Sequence, residues 1–396
     1  MKIYNTYTKK LDDFLPNKKN ITMYTCGPSS HTYQHIGNLR SHVTEDLFEK
    51  ALNYLGYKVK RAMCITDVGK LKSTGEDKMS AAVKTSNKTA TEISKENIEQ
   101  FKNDCRLLNV AIPELFIPAS NEIEMYIKMI TKFLDDGYAY HANGNIYFDT
   151  TKKNDYFKLT GNEIIEDSKE AYKHHPNDFE IWIGNLEQFN IDDSLLWDSP
   201  WGKGSPGWHL QCSAISIKYL GEELDLHFGS LGAIFPHHTN EIAQSETYIG
   251  KEWCKFWVHL GYLNIDDKKM GKSLNNFVTL SELIEKGYNP LSYKLLLIKN
   301  NYKETVNFTY DILNTCEQEY NIIKSKINNL NNSGDIHNEI FTKYDDMFKD
   351  YLNDNLNTNK TIELIHELLD DIKVNDLTKL ELLNSWDKVL GLNLQK

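Results

Sequence analysis

The amino-acid sequence predicts an α/β fold in which a parallel sheet is interrupted by an inserted domain and followed by a bundle of helices. Two mostly apolar runs, residues 21–24 and 59–66, each end in a polar turn, and the segment between them, residues 39–55, has apolar residues at helical spacing. A strand, a crossover helix and a second strand make the repeating unit of a parallel sheet. Beyond about residue 280, helical spacing continues to the end of the chain and predicts the bundle.

The other elements follow from the same spacing rules, taken in chain order. Residues 70–95 are polar and charged, which predicts a mobile segment. Beyond them, the spacing predicts helices at 96–108 and 121–136, a strand at 144–150, a helix at 209–220, a strand at 224–228, a helix opened by Pro236, a strand at 256–261, and helices at 280–286, 290–299 and 311–327. Two or three further helices complete the chain.

Changes in this pattern divide the chain into five parts. Residues 1–95 are expected to form the first half of a Rossmann-type α/β domain, residues 96–195 an inserted domain, and residues 196–263 the second half of the α/β domain. A loop and helices follow at residues 264–306. The helical bundle, residues 307–396, carries 16 acidic and 9 basic residues, and such an acidic surface is a poor one for phosphates.

Length and composition exclude several classes of protein. A chain of 396 residues with 40% hydrophobic residues has enough apolar side chains for two or three domain cores. Six cysteines at irregular spacing do not make a disulfide framework, and neither a signal peptide nor an apolar run of about 18 residues is present. We therefore expect a cytoplasmic protein that does not enter a membrane. The net charge of −11 argues against non-specific coating of nucleic acid but allows a local basic groove.

The turn between the first strand and its helix, residues 25–38, lies where α/β sheets bind ligands. It holds Cys26, His35 and Gly37 at the mouth of a helix whose N-terminal N–H groups favour phosphate. A glycine after a strand is also common in purely structural turns, so this turn alone leaves both interpretations open.

Four side chains have the character of metal ligands. His237 and Glu241 are four residues apart, so on a helix they share one face, and Cys26 and Cys212 face each other if the two halves of the sheet meet at a switch point. Two thiols, an imidazole and a carboxylate suit zinc better than magnesium or calcium. The alternative interpretation is that both cysteines are small buried hydrophobic residues and bind no metal. If a metal is bound, His238 could replace His237 as a ligand.

A second group of residues suits phosphate. Lys269 and Lys272 flank Gly271 in a charged loop that follows a strand, where two ammonium groups can clamp a triphosphate and stabilise the departing pyrophosphate. His35 and Asn38 would approach the same phosphates from the other side. Lysine-rich loops are also common as solvated surface, which is the alternative interpretation.

Read together, these segments resemble class I aminoacyl-tRNA synthetases, and specifically the cysteinyl-tRNA synthetases. His35-Ile-Gly-Asn38 is similar to the family's first ATP motif, His-Ile-Gly-His or His-Ile-Gly-Asn, and Lys269-Met-Gly-Lys-Ser273 is similar to the second, Lys-Met-Ser-Lys-Ser. Cys26-Gly-Pro28, Thr66-Asp67 and residues 207–214 and 237–245 match further segments of the family. The resemblance covers nearly the whole chain. It makes the α/β domain the catalytic domain, residues 96–195 the connective domain, and residues 264–306 the second ATP loop with its stem-contact helices.

The resemblance implies the reaction and the residues that serve it. The carboxylate of L-cysteine would attack the α-phosphate of ATP to give cysteinyl-adenylate and pyrophosphate, and the cysteine would then pass to the 3′ end of tRNA(Cys). The implied site residues are His35, Asn38, Lys269 and Lys272 for catalysis; Pro28, His35, Gly37, Asn38, Lys269, Met270, Gly271, Lys272 and Ser273 for ATP; Gly27, Thr66, Trp208 and His227, with His209 as a possible member, for the amino acid; and Cys26, Cys212, His237 and Glu241 for the metal.

The implied cofactors are one Zn²⁺ per chain and Mg²⁺ with ATP, and the implied partners are tRNA(Cys), ATP and L-cysteine, bound by a monomer. Zinc would act as a selectivity device, because a substrate thiolate fills an open coordination position that the hydroxyl of serine fills poorly. Shape alone separates such similar substrates by only about 10²-fold.

Three features depart from the family pattern. Gly271 stands where the family usually has serine, and Gly229-Ser-Leu-Gly232 stands where it has Gly-Gly-x-Asp, so that a carboxylate is missing. The sequence also stops after the bundle, where the family usually continues into a small domain that reads the anticodon. These departures leave open two other hypotheses, a cysteine ligase that acts on a small amine and an inactive paralogue.

Overall fold

The computed structural model describes residues 1–16, 19–71, 76–166, 171–189, 191–270 and 276–395, with only the backbone described at Glu187 and Lys269. The strands are β1 Lys2–Asn5, β2 Lys10–Asp13, β3 Asn20–Thr25, β4 Lys58–Ile65, β5 Leu115–Pro118, β6 Ala139–Ala142, β7 Asn145–Phe148, β8 Phe179–Ile183, β9 Ser205–Pro206, β10 Leu224–Ser230, β11 Cys254–Leu260, β12 Leu263–Ile265, β13 Lys268–Lys269 and β14 Val306–Phe308. The helices are α1 Ile36–Tyr54, α2 Lys78–Thr85, α3 Ala90–Leu107, α4 Ile123–Asp135, α5 Leu186–Phe189, α6 Trp208–Leu220, α7 Thr239–Ile249, α8 Leu280–Glu285, α9 Pro290–Ile298, α10 Tyr310–Asn328, α11 Asn338–Asn353, α12 Thr358–Asp370 and α13 Asp376–Leu390.

The centre of the molecule is a five-stranded sheet in the order β11-β10-β3-β4-β5, in which every pair is parallel. The chain builds this sheet outward from β3, adding β4 and β5 on one side and later β10 and β11 on the other. The strand order therefore reverses between β3 and β10, and such a switch point is where open α/β sheets bind ligands. The predicted parallel α/β sheet is confirmed.

A second sheet interrupts the first in sequence. The strands β6, β7, β8 and β9 form a four-stranded antiparallel sheet that lies, along the chain, between β5 and β10. The helices α10 to α13 follow as the C-terminal bundle, as the spacing predicted. Within the described residues, no helix combines the length and the apolar character that a membrane span requires.

The region after β4 differs from the prediction. Instead of a wholly mobile stretch, it contains α2, capped by Asp77, and the start of α3, capped by Thr89 with Glu92 in a reciprocal capping box. These capping residues are the sequence signal for a helix start, but the polar composition obscured it. Strand β5 pairs with β4 although it lies beyond residue 95, and four residues are too few to give a periodicity. The five-part division of the chain stays a prediction.

Helix α1 is buried along most of its length because it is covered on both sides. On the sheet side, the ring of Phe48 packs edge-on against Phe228, with 5.0 Å between centroids. On the bundle side, the Tyr54 hydroxyl lies 2.9 Å from the hydroxyl oxygen of Ser385 and also donates to Asp345. The helix that begins at the switch point is therefore held by both the central sheet and the bundle.

Arg40 fixes the start of α1 relative to the later part of the chain. Arg40 is 3% exposed, and its guanidinium donates to backbone carbonyls on two segments, with Nη1 2.9 Å from Gly261 O and Nη2 2.6 Å from Glu304 O. A guanidinium offers five donors in a rigid fork, so a single side chain can satisfy several carbonyls at once. Arg40 thereby places the segment after β11 beside the first turn of α1.

We expect Lys294→Met to stabilise the protein at neutral pH. Lys294 is fully buried, and burial lowers its pKa to about 7. Its Nζ donates to Asn109 O at 3.2 Å and to Gly391 O at 3.3 Å, and both carbonyls keep another donor, Lys50 Nζ and Asn109 Nδ2 respectively, when the lysine is removed. Methionine avoids the cost of burying the charge, so the free energy of unfolding should rise by about 1–4 kcal/mol at pH 7.

The pH dependence of the stability tests whether the gain comes from removing a buried charge. Between pH 7 and the unfolded pKa of 10.5, the unfolded lysine binds a proton that the folded one has lost, so the stability of the wild type rises with pH. The advantage of Lys294→Met in urea unfolding should therefore shrink from pH 7 to pH 9.5. An advantage that stays constant over that range, or a methionine variant less stable at pH 7, would contradict the prediction.

Candidate functional site

A cavity of about 230 Å³ opens at the switch point between β3 and β10. Cys26 and Gly27, which follow β3, line one side, and Gly229 with Ser230, at the end of β10, lines the other. A Cβ added to Gly27 would lie 1.7 Å from the carbonyl oxygen of Cys64, so only glycine fits the approach between the strand ends. The topology of the sheet thus places residues from both halves of the chain around one cavity.

The four residues expected to bind a metal lie together at this cavity. One ligand atom from each of Cys26, Cys212, His237 and Glu241 lies within 4.8 Å of all the others. His237 Nε2 is 2.9 Å from Glu241 Oε1, 3.6 Å from Cys212 Sγ and 3.9 Å from Cys26 Sγ. Cys26 lies in the turn after β3, Cys212 on helix α6, His237 in the kinked segment Ile234–His238, and Glu241 on helix α7.

The ionisation of this cluster depends on whether a cation is bound. Contact with Cys212 lowers the pKa of the Cys26 thiol, but burial and the charge of Glu241 outweigh it and raise the pKa to about 11. Contact with Cys26, together with burial, raises the pKa of Cys212 well above its ordinary value. Burial raises the pKa of Glu241, but His227 and His237 outweigh it and lower the pKa to about 2. A bound divalent cation would favour loss of both thiol protons.

The chemistry of the four residues fits a metal ion. Glu241 is fully buried, and its Oε1 has no hydrogen-bond partner among the described residues although it lies 2.9 Å from His237 Nε2. A buried carboxylate oxygen without a hydrogen bond is costly unless a cation or donor satisfies it. Two sulfurs, one imidazole nitrogen and one carboxylate oxygen make a donor set suited to a tetrahedral site.

Distance to the carboxylate favours His237 over its neighbour His238 as the member of this cluster. His238 Nε2 is 3.9 Å from Cys26 Sγ and 4.0 Å from Glu241 Oε1, farther from the carboxylate than His237 is. His238 instead contacts His259, with 2.7 Å between its Nδ1 and His259 Nε2, and burial lowers the pKa of both rings, that of His259 to about 3. The geometry favours His237 as the ligand and places His238 behind it.

Neighbouring rings hold His237 in place. His209 Nδ1 is 2.7 Å from His237 Nδ1, which leaves Nε2 of His237 directed towards the cluster. The ring of Trp208 stacks on that of His237, with 4.1 Å between centroids and 23° between planes. Hydrogen bonds to the second nitrogen of a ligating histidine commonly fix its orientation. Trp208 and His237 also line the cavity, so the tryptophan forms part of its wall.

The structure places His227 behind the cluster rather than in the wall of the first cavity. It was expected in the amino-acid pocket, but it is fully buried, and its Nε2 lies 2.8 Å from Glu241 Oε2 while its Nδ1 lies 3.2 Å from Phe228 O. It does not line the cavity and instead supports the carboxylate from behind. A side chain on the parallel strand β10 faces one side of the sheet or the other, and sequence alone does not reveal which side carries the cavity.

A second cavity, of about 320 Å³, adjoins the first. The two share four lining residues, and the second is also lined by members of the predicted ATP site, His35, Gly37 and Met270. His35 caps α1, because its Nδ1 accepts the Asn38 N–H at 3.1 Å and Asn38 Oδ1 accepts the His35 N–H at 3.3 Å. The shared residues are Asn38, Ser41, Ser230 and Gly232.

The remaining expected site residues are distributed as follows. Thr66 lines the first cavity, and its N–H donates to the carbonyl of Pro28 at 3.0 Å. Pro28 is itself buried and lines neither cavity. The backbone of Lys269 lies in β13, paired with Asn264. Three members of the second motif lie outside the described residues, namely Gly271, Lys272 and Ser273.

Residues that the sequence analysis did not single out also line the first cavity, among them His42, Glu45 and Lys70. His42 and Glu45 lie four and seven residues after Asn38 on α1. Residues at that spacing share one face of a helix, so the periodicity counted from Asn38 would have pointed to them. Lys70 follows β4 by a few residues, and nothing in the pattern of the sequence predicted that it would fold back over the cavity.

Gly232 lines both cavities, and its neighbourhood is crowded. A Cβ at this position would lie 2.6 Å from the hydroxyl oxygen of Tyr262. The glycine found where the resemblance led us to expect aspartate is therefore matched by a tyrosine that occupies the space of its side chain.

Comparisons with known proteins agree with this geometry. Residues 14–318 match the family described as tRNA synthetases class I (C) catalytic domain. The chain is 34% identical over its whole length to the cysteine–tRNA ligase of Treponema denticola, of which it covers 86%, and 34% identical over its whole length to that of Borreliella burgdorferi, of which it covers 87%.

A solved structure of methionyl-tRNA synthetase from Mycobacterium tuberculosis, in complex with methionyl-adenylate, has the same overall fold at 12% sequence identity. Its TM-score is 0.62, and the match covers 94% of this chain and 90% of that one. The family match and the relatives, which extend over the fold and both cavities, establish that this chain belongs to the cysteine–tRNA ligases of the class I tRNA synthetases.

Proposed function

We propose that this chain is an ATP-dependent cysteine–tRNA ligase, which joins L-cysteine to AMP and then transfers the cysteine to the 3′ end of tRNA(Cys). The observation that carries the proposal is the adjacency of two cavities at one switch point: one has three members of the metal-ligand cluster in its wall, and the other has the His35 cap and the start of α1. A thiol amino acid in the first cavity and a nucleotide in the second would meet at their shared wall.

The first cavity would bind the amino acid. We propose that Cys26, Cys212, His237 and Glu241 hold Zn²⁺, which when bound supplies a coordination position that a thiolate fills and a hydroxyl fills poorly. The protein residues provide the rest of the selectivity: the ring of Trp208 closes one side of the cavity, Gly27 and Thr66 line another, and the small volume excludes larger side chains.

The second cavity would bind the phosphates of ATP with its Mg²⁺. The N–H of Gly37 and the side chain of Asn38 would bind the phosphates, because a helix N-terminus favours anions and the Asn38 N–H already donates to His35 Nδ1. His35 is held by its cap, and we assign it to the transition state, where preorganised donors stabilise the charge that develops on the α-phosphate. Lys269 and Lys272 would stabilise the departing pyrophosphate. The carboxylate of cysteine is itself the nucleophile that attacks the α-phosphate as pyrophosphate leaves, so no protein nucleophile is required.

Charging of tRNA tests the acceptor. The full chain, incubated with ATP, Mg²⁺, labelled L-cysteine and total tRNA, is expected to form a base-labile ester on tRNA(Cys). A matched reaction with labelled L-serine should give no product above background. Adenylate formation without any charged tRNA would instead favour a small amine as acceptor, and the absence of both would favour an inactive paralogue. The monomeric state and the cytoplasmic location expected from the sequence stay predictions.

A further inference from the structure

The cavity beside the metal-ligand cluster holds two charged side chains that the reaction described above does not use. Among the described residues that line this cavity, Glu45 carries the one carboxylate and Lys70 the one ammonium group. Glu45 comes from α1, and Lys70 comes from the segment after β4. Two opposite charges from separate elements therefore face the same small volume as Cys26 and His237.

Glu45 is held in place but is only half satisfied. It is 1% exposed, and its Oε2 lies 3.2 Å from His42 Nδ1. No lysine or arginine of the described residues pairs with it, and no hydrogen bond to its Oε1 is formed within the described chain. Burying a carboxylate is costly unless a cation or a donor meets it. This side chain is therefore suited to receive a cationic group from a ligand.

Lys70 is held in the same way on its side of the cavity. Its Nζ donates to Ser29 Oγ at 2.9 Å and lies 4.4 Å from the centroid of the Trp208 ring. Burial lowers its pKa to about 8, so the amine is still mostly protonated at pH 7. No carboxylate of the described residues pairs with it, so it is suited to receive an anionic group.

We propose that Glu45 binds the α-ammonium group and Lys70 the α-carboxylate of the amino-acid substrate, whose thiol faces the metal-ligand cluster. A zwitterion is the small ligand that carries one charge of each sign, and a cavity of about 230 Å³ suits an amino acid rather than a nucleotide. Gly232, where the resemblance led us to expect aspartate, lines the same cavity. Glu45 therefore provides, from α1, a carboxylate that is missing from the turn after β10. This assignment rests on the proposed function.

Three thiols separate the roles of the two residues: L-cysteine, cysteamine, which lacks the carboxylate, and 3-mercaptopropionate, which lacks the ammonium group. Their binding to the zinc-loaded full chain is measured by isothermal titration calorimetry. Glu45→Gln keeps a partner for His42 and is expected to weaken binding of cysteine and cysteamine by about 10- to 100-fold while leaving 3-mercaptopropionate unchanged. Lys70→Met is expected to weaken cysteine and 3-mercaptopropionate by a similar factor while leaving cysteamine unchanged.

Matched controls lie on the same elements. Glu49→Gln is one turn further along α1, where Glu49 pairs with Arg61, and Lys60→Met removes a lysine of β4 whose Nζ donates to Tyr219 O. Both control variants should bind all three thiols like the wild type.

The assignment is overturned if Glu45→Gln and Lys70→Met weaken all three thiols equally, or if neither affects cysteine. Should a variant fail to fold, the wild type still tests the idea, because it must bind cysteine at least about tenfold more tightly than either analogue. A wild type that binds cysteine no more tightly than the analogues overturns the assignment alone. A wild type that binds none of the thiols overturns the proposed function and the assignment with it.

Discussion

Cys212→Ser is expected to remove the metal from the protein and to reduce cysteine-dependent ATP–pyrophosphate exchange by at least about 1000-fold. Cys212 Sγ lies 3.6 Å from His237 Nε2, inside the four-residue cluster, and is 1% exposed. A serine hydroxyl is a poor zinc ligand, and the three remaining ligands would leave the site weak. Metal content by mass spectrometry, exchange activity and the melting temperature are measured on the same preparation.

A buried cysteine elsewhere provides the control for Cys212→Ser. Cys254 is 4% exposed at the start of β11, and its Sγ donates to Phe256 O, a bond that a serine hydroxyl can also make. Cys254→Ser should keep one metal ion per chain and its exchange activity. The assignment of Cys212 is contradicted if Cys212→Ser retains stoichiometric metal and exchange near the wild-type rate.

His35→Ala is expected to lower kcat for exchange by about 10²- to 10³-fold while the affinity for cysteine changes little. The ring lines the second cavity and not the first, so its loss should affect the phosphates and leave the thiol site intact. The alanine also removes the cap of α1, which costs about 1 kcal/mol of stability. Steady-state exchange kinetics, with thermal unfolding alongside, separate the two effects.

A second substitution distinguishes capping from catalysis at this position. Asparagine is a favourable N-cap residue, so His35→Asn should restore the stability of α1 but not the activity. His366→Ala, on the bundle, where His366 Nε2 is 2.9 Å from Glu319 Oε1, serves as a histidine control with unchanged exchange. Recovery of activity in His35→Asn would mean that His35 acts only as a helix cap.

The sequence was most informative where topology alone brings residues together. Cys26 and Cys212 are far apart in the chain, yet a parallel sheet with a switch point requires the turn after β3 to lie beside the second half of the chain, and the two thiols do lie in one cluster. His237 and Glu241 likewise meet as their spacing predicted, although α7 begins only at Thr239, because His238 before it already has helical backbone angles.

The sequence was least informative where the outcome depends on tertiary contacts. From the sequence, His227 could face the cavity or lie behind Glu241. Its contact with Glu241 in the folded protein shows that it lies behind the carboxylate. Strand β5 is too short for its periodicity to be visible, so the sequence did not predict that the sheet extends past residue 95. Glu45 could have been found from its helical spacing to Asn38, whereas the position of Lys70 over the ring of Trp208 depends on how the chain folds back after β4.

The central claim is that the cluster and the two adjoining cavities activate cysteine and discriminate against serine. Its most direct measurement is ATP–pyrophosphate exchange by the zinc-loaded full chain, with L-cysteine and L-serine compared in parallel. We predict exchange that depends on cysteine and exceeds the exchange with serine by more than about 100-fold, since shape alone gives discrimination of only that order. No cysteine-dependent exchange, or exchange with serine at a comparable rate, would contradict the assignment of both cavities.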